Sequence, residues 1–151
     1  MLTIFTVLPL LLPALTLALP ATPNTITYIV SNFLYTEHDT QGSNATFTLI
    51  DPRPEHALNI TCTSASTQSH VPTTFVGCED GENKDALFSL TMSSLTIQRG
   101  WTVDEQYYMW TRAPVDTYWT PGVNVTDTDN GHGKEFRHDG DWEFLVTSAW
   151  V

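Results

Sequence analysis

Ala57-Leu58-Asn59-Ile60-Thr61-Cys62-Thr63 alternates apolar and polar residues without a break. Leu58, Ile60 and Cys62 point one way, and Asn59 and Thr61 the other, which is the period of a half-buried β-strand. This strand carries a cysteine toward the core. Its solvent side carries Asn59, the acceptor of the glycosylation sequon Asn59-Ile60-Thr61. The apolar period and the sequon thus agree on which face meets water.

Only one other cysteine exists, Cys78, 16 positions further on. A lone pair at that spacing behind an apolar leader reads as one structural disulfide, Cys62–Cys78. Redox chemistry would call for a Cys-x-x-Cys spacing or an adjacent base, and neither is present. Residues 2–19, LTIFTVLPLLLPALTLAL, are uncharged and interrupted by Pro9 and Pro13. They read as a signal peptide, residues 1–18, with cleavage near Ala18 or Ala21 and a single secreted β-domain over 22–151. The alternative of a retained anchor lacks a basic flank. No second apolar stretch has membrane length and no hydrophobic tail directs a lipid anchor, so no membrane association is expected after cleavage.

About 130 residues remain, enough for one domain with its own core. The chain carries a formal charge of −11, all from the part after the leader. Such a surface repels phosphate backbones, so no nucleic acid is expected as a partner. Two further sequons, Asn44-Ala45-Thr46 and Asn124-Val125-Thr126, fit a secreted glycoprotein whose asparagines face solvent.

The rest of the chain is β-rich: short runs of Thr, Val, Ile and aromatic residues between Gly, Pro, Asn and Asp clusters. Strands are expected at 26–35, 45–50, 57–63 and 74–78, with a break forced by Pro52 and Pro54. Phe88, Leu90 and Met92 share a face of the next, and Leu95 and Ile97 continue toward Gly100. Further strands are expected at 107–112 and 117–120, and a last one holding Trp142, Phe144 and Val146 runs to Trp150. An all-β domain follows, an antiparallel barrel or closed sandwich of about 7–9 short strands with one disulfide.

Three stretches together resemble the Alternaria major-allergen family of small secreted fungal proteins: Tyr28-Ile29-Val30-Ser31-Asn32-Phe33, Ile60-Thr61-Cys62-Thr63-Ser64-Ala65, and Phe75-Val76-Gly77-Cys78-Glu79-Asp80-Gly81-Glu82-Asn83. The likeness continues through Ala86 to Leu90 and Leu95-Thr96-Ile97-Gln98, and covers residues 28–99. It implies a β-barrel without a known catalytic mechanism, and an allergen, elicitor or effector role outside the fungus. It also implies binding to a plant thaumatin-like defence protein or a small phenolic ligand. Family members carry a further C-terminal disulfide and an N-terminal cysteine that links two subunits. This chain has neither, so no disulfide-linked homodimer is expected, and none of the family's binding residues maps onto it.

Three clusters invite chemistry. Trp101, Tyr107, Tyr108, Trp110, Tyr118 and Trp119 crowd one segment, offering apolar ring faces with polar tips to a sugar or flat phenolic ligand. Trp101, Tyr108, Trp110 and Trp119 are the candidate ligand-binding aromatics; the plain alternative is that they fill the core. Tyr108 and Trp110 alternate against Tyr107 and Met109, so one pair must lie outside. Asp127-Thr128-Asp129-Asn130-Gly131 is close to a calcium loop, but its glycine is one place early and His138 stands where a glutamate is needed. With His132, Asp139 and Asp141 it reads as a solvated acidic loop, and no metal or other cofactor is expected. Asp141 and Glu143 share a strand face, and Glu79, Asp80, Glu82 and Asp85 cluster after Cys78, but no hydrolase motif frames either set. Three readings compete: a non-catalytic effector-like binding protein, a carbohydrate- or phenolic-binding module using the aromatic stretch, and a small extracellular hydrolase.

Overall fold

A computed structural model describes residues 25–38, 40–66, 74–79, 83–91, 94–103, 105, 107–116, 126–129, 131 and 133–151. The leader, Met92, the strand expected at 117–120, Trp119 and the Asn124 sequon lie outside them. Eleven strands occur among the described residues, together with a single 3₁₀ turn at Pro54–His56. They form two antiparallel sheets that face each other as a sandwich and do not close into a barrel.

The first sheet is built on β1 (Thr27–His38). One edge of β1 pairs with β2 (Gly42–Asp51), which pairs in turn with β3 (Leu58–Ser66). The other edge is shared. Its N-terminal part takes β10 (Trp142–Leu145), and its C-terminal part takes β9 (Gly133–His138), outside which runs β8 (Thr126–Asp129). The second sheet runs in the order β11 (Ser148–Trp150), β7 (Tyr108–Asp116), β6 (Ser94–Thr102), β5 (Asn83–Leu90), β4 (Val76–Cys78).

Alternation along each strand supplies the core. Phe47 and Leu49 point inward from β2, Phe88 and Leu90 from β5, Leu95 and Ile97 from β6, all buried. Phe47 meets Phe88 edge-on across the two sheets, with ring centroids 4.9 Å apart. On β3 the expected faces hold: Cys62 is buried, while Asn59 and Thr61 are exposed.

β1 departs from a simple period of two. Tyr28 and Val30 are buried, and so are Phe33 and Tyr35, which are out of step with them. The ladder to β2 shifts between Ser31 and Leu34, and Asn32 adopts φ 54°, a left-handed conformation that asparagine tolerates better than most residues. This bulge resets the phase, so both aromatic pairs reach the core. It also marks where β1 exchanges β10 for β9 as its neighbour.

The last expected strand divides in two. Val146 N–H donates to Ile26 O just before β1 (2.9 Å), and Thr147 N–H donates to Arg112 O in the second sheet (2.9 Å). Consecutive amides thus serve opposite sheets, and β10 and β11 join one edge of the sandwich. The opposite edge is joined by the Cys62–Cys78 disulfide between β3 and β4, with Glu79 N–H donating to Thr61 O beside it (2.9 Å).

Because the disulfide closes a short loop, the chain-entropy argument gives it roughly 3 kcal/mol, a large share of the about 5–15 kcal/mol typical of a domain. The C62A/C78A double variant is therefore expected to melt roughly 10 °C lower by calorimetry. An unchanged Tm would show that the sheet edges hold together without it.

Candidate ligand-binding face

The two outer faces of the sandwich differ in kind. On the first sheet, Asn44 and Asn59 are both exposed. Asn44 stands opposite Ala65 and Asn59 opposite Ile50 in an unbroken β2–β3 ladder, so both sequons project from the same face. Residues 44 and 50 of β2 lie about 20 Å apart along the strand, which sets the spread of the two attachment points. A shallow cleft of about 340 Å³ at the bulge lies on this sheet too, lined among others by Asn32, His138, Asp139 and Thr46. Thr46 is also the third residue of the Asn44 sequon.

The outer face of the second sheet carries aromatic rings. Tyr108, Trp110 and Arg112 alternate along β7 and share that face. Trp110 stands directly opposite Trp150 of β11 on one side and Gly100 of β6 on the other. A Cβ at position 100 would sit 2.5 Å from the Tyr108 ring, so any side chain there would displace the ring. The missing side chain gives Tyr108 a seat against the sheet, with its ring 5.5 Å from that of Trp110. Tyr108 Oη donates to Asp85 Oδ1 at 2.5 Å, which fixes the ring at its far end.

Arg112 extends across the same face. With the Gln98 amide turned so that its oxygen meets the guanidinium, Arg112 Nη2 and Nε donate to it at 2.7 and 3.1 Å. The guanidinium carbon lies 5.5 Å from the Phe75 ring centre and 5.6 Å from the Trp150 ring centre, within cation–π range of both. Phe75 is 36% and Trp150 40% exposed, so these rings present open surface.

Of the aromatic residues grouped from the sequence, Tyr108 and Trp110 meet on this face. Trp101 does not join them. It stands opposite Met109 and points to the other side of the sheet, where the Arg53 guanidinium stacks 4.2 Å above its ring and His56 of the 3₁₀ turn lies 4.8 Å away. Arg53 is itself held by Asp51, with Nε–Oδ1 2.9 Å and Nη2–Oδ2 2.7 Å. Trp101 thus closes the end of the sandwich. Phe75, Arg112 and Trp150 are the members that sequence reasoning missed. Trp150 ends the last strand expected from the sequence, but nothing in the sequence reveals that β11 pairs with β7.

The solvated acidic loop expected near the C-terminus is strand in part, while Asp139 and Asp141 are exposed outside any strand. Thr126–Asp129 forms β8, paired with β9, and the His138 ring stacks on Trp142 at 4.7 Å. Among the described residues, no three His, Cys, Asp or Glu side chains gather as a metal site would require. Asp141 and Glu143 are both exposed; Glu143 stands opposite Ile29 in the first sheet. Glu79 accepts from Asn83 Nδ2 at 3.3 Å, and Asp85 is engaged with Tyr108, so each has a structural contact. No described helix is long and apolar enough to cross a membrane. Comparison with known protein families, with curated proteins and with solved structures found no match.

Burial pushes the Tyr108 phenol up to about 12, helped by its hydrogen bond to the Asp85 carboxylate and the nearby negative charge. The folded state thus holds this proton more tightly than the unfolded chain, whose tyrosines ionise near about 10. Its contribution to stability is present below that value and lost as pH rises through about 12. An ultraviolet titration comparing wild type with Y108F is expected to remove a late-ionising tyrosine, and D85N to bring Tyr108 back toward the ordinary range. Loss of an early-ionising tyrosine in Y108F would contradict the placement of this ring.

Proposed function

We propose that this chain is a secreted, non-catalytic binding protein of the effector or elicitor type, engaging its target through the outer face of the second sheet. One observation carries the reading: two sequons share the outer face of the first sheet, while rings and an arginine occupy the outer face of the second. Glycans on Asn44 and Asn59 would shield one side and leave the other open. The apolar leader and the disulfide are consistent with an oxidising extracellular compartment. The family resemblance adds candidate partners, a plant thaumatin-like defence protein or a phenolic compound.

The aromatic face also favours a second, narrower reading: a module for carbohydrates or flat phenolics. Half-exposed tyrosine and tryptophan rings on a rigid sheet provide contact area at little conformational cost, whether the partner is a protein or a sugar ring. The two readings share a surface and differ in the occupant. A screen of glycans, phenolics and plant apoplastic proteins against the glycosylated protein separates them. In either case W110A is expected to weaken binding by about tenfold or more, with little change in Tm. Binding that survives W110A and W150A unchanged would remove this face from the account.

A further inference from the structure

We infer that Arg112 makes this face selective for a carboxylate-bearing sugar, a uronate within an otherwise largely neutral glycan. The inference rests on the aromatic face being the ligand surface, and adds the chemical class of what it holds.

Basic residues are scarce in this chain. The chain has six Lys and Arg against seventeen Asp and Glu. Arg53 is paired with Asp51 and Arg137 with Glu135, so the arginines near carboxylates are neutralised by them. Arg99 is buried and donates to the carbonyls of Asp85 and Gly100. Lys84 and Lys134 are exposed without a ring contact among the described residues, and Arg112 differs from them and from the other arginines. It is exposed, and none of the described carboxylates lies within ion-pair distance of it. On a protein of charge −11, an exposed guanidinium with no acid partner among the described residues and with two rings in cation–π range is a local reversal of sign.

It is also held in place. Gln98 takes Nε and Nη2 along one edge of the guanidinium, and the rings of Phe75 and Trp150 flank it. The Nη1 end remains for a ligand. A fixed guanidinium loses less side-chain freedom on binding than a mobile lysine, and its charge-assisted hydrogen bonds to a carboxylate are among the stronger ones.

The neighbouring rings define the rest of the ligand. Trp110 and Arg112 are two residues apart on one strand face, about 7 Å along the sheet. A uronate carries its carboxylate at the ring edge, so its apolar face can lie on Trp110 or Trp150 while the carboxylate reaches Arg112. Tyr108 continues the track beyond Trp110, for a total of about 13 Å, which accommodates more than one ring. An oligosaccharide fills that track, whereas a single phenolic acid leaves part of it empty. The net charge sets an upper limit on ligand acidity, because a polyanion meets repulsion from the remaining surface.

The test uses the mature glycosylated protein and calorimetric titration with three probes: a neutral oligosaccharide, the same oligosaccharide with one terminal sugar oxidised at C6 to the uronic acid, and caffeate. The uronate-bearing probe is expected to bind about tenfold more tightly than its neutral counterpart. R112Q should abolish that preference, so that the two oligosaccharides bind it with equal affinity. R112K, which keeps charge but not the planar fork, should retain part of it. Equal affinity for the two oligosaccharides, or a preference that survives R112Q, overturns the inference while leaving the aromatic face intact. Failure of both oligosaccharides to bind overturns the carbohydrate reading as well, and caffeate binding alone would replace the sugar with an aromatic acid.

Discussion

The Cys62–Cys78 bond holds the two sheets together covalently along one edge. It joins β3, an edge of the first sheet, to β4, an edge of the second. Phe47 stands opposite Cys62 in one ladder, and Phe88 stands opposite Val76 in the other. The covalent link and the Phe47–Phe88 contact therefore lie side by side and fix how the sheets face each other. At the far edge, the amides of Val146 and Thr147 divide between the sheets. Pinned along both edges, the sandwich has two defined outer faces, and the functional reading follows from how they differ.

That difference is a matter of which residues alternate against the core. On β2 and β3 the residues that escape burial include Asn44 and Asn59, with Thr and Ser for neighbours. On β7 they are Tyr108, Trp110 and Arg112. Both patterns arise from one rule, a side chain on each side of the sheet in turn. Gly100 adds a second requirement on the aromatic side, because a side chain there would lift the Tyr108 ring from its seat.

The all-β class, the disulfide and the inward faces of β2, β3, β5 and β6 were legible because their apolar residues alternate without interruption. β1 was legible only in part. Its spacing Tyr28-x-Val30-x-x-Phe33-x-Tyr35 contains the extra residue that the bulge at Asn32 accommodates, but a period of two does not reveal it. The division of β10 from β11 left no local mark either, since Trp142, Phe144 and Val146 alternate correctly up to the point where the chain changes sheet. The aromatic face was half legible. Tyr108 and Trp110 were found by proximity in sequence, and Trp101 was grouped with them although it points across the sheet. Phe75 and Trp150 reach Arg112 through pairings between strands distant in sequence, and such register is set by the tertiary fold.

Five tryptophans stand in the chain, and each indole N–H reports on its own surroundings. Trp110 and Trp150 lie on the outer face of the second sheet, Trp101 at the end of the sandwich, and Trp142 against His138 on the first sheet. Following the indole signals by nuclear magnetic resonance while an oligosaccharide or protein partner is titrated in therefore locates the binding face. Trp110 and Trp150 are expected to shift together while Trp101 and Trp142 stay in place. Movement of Trp142 or Trp101, with Trp110 and Trp150 unaffected, would contradict this placement.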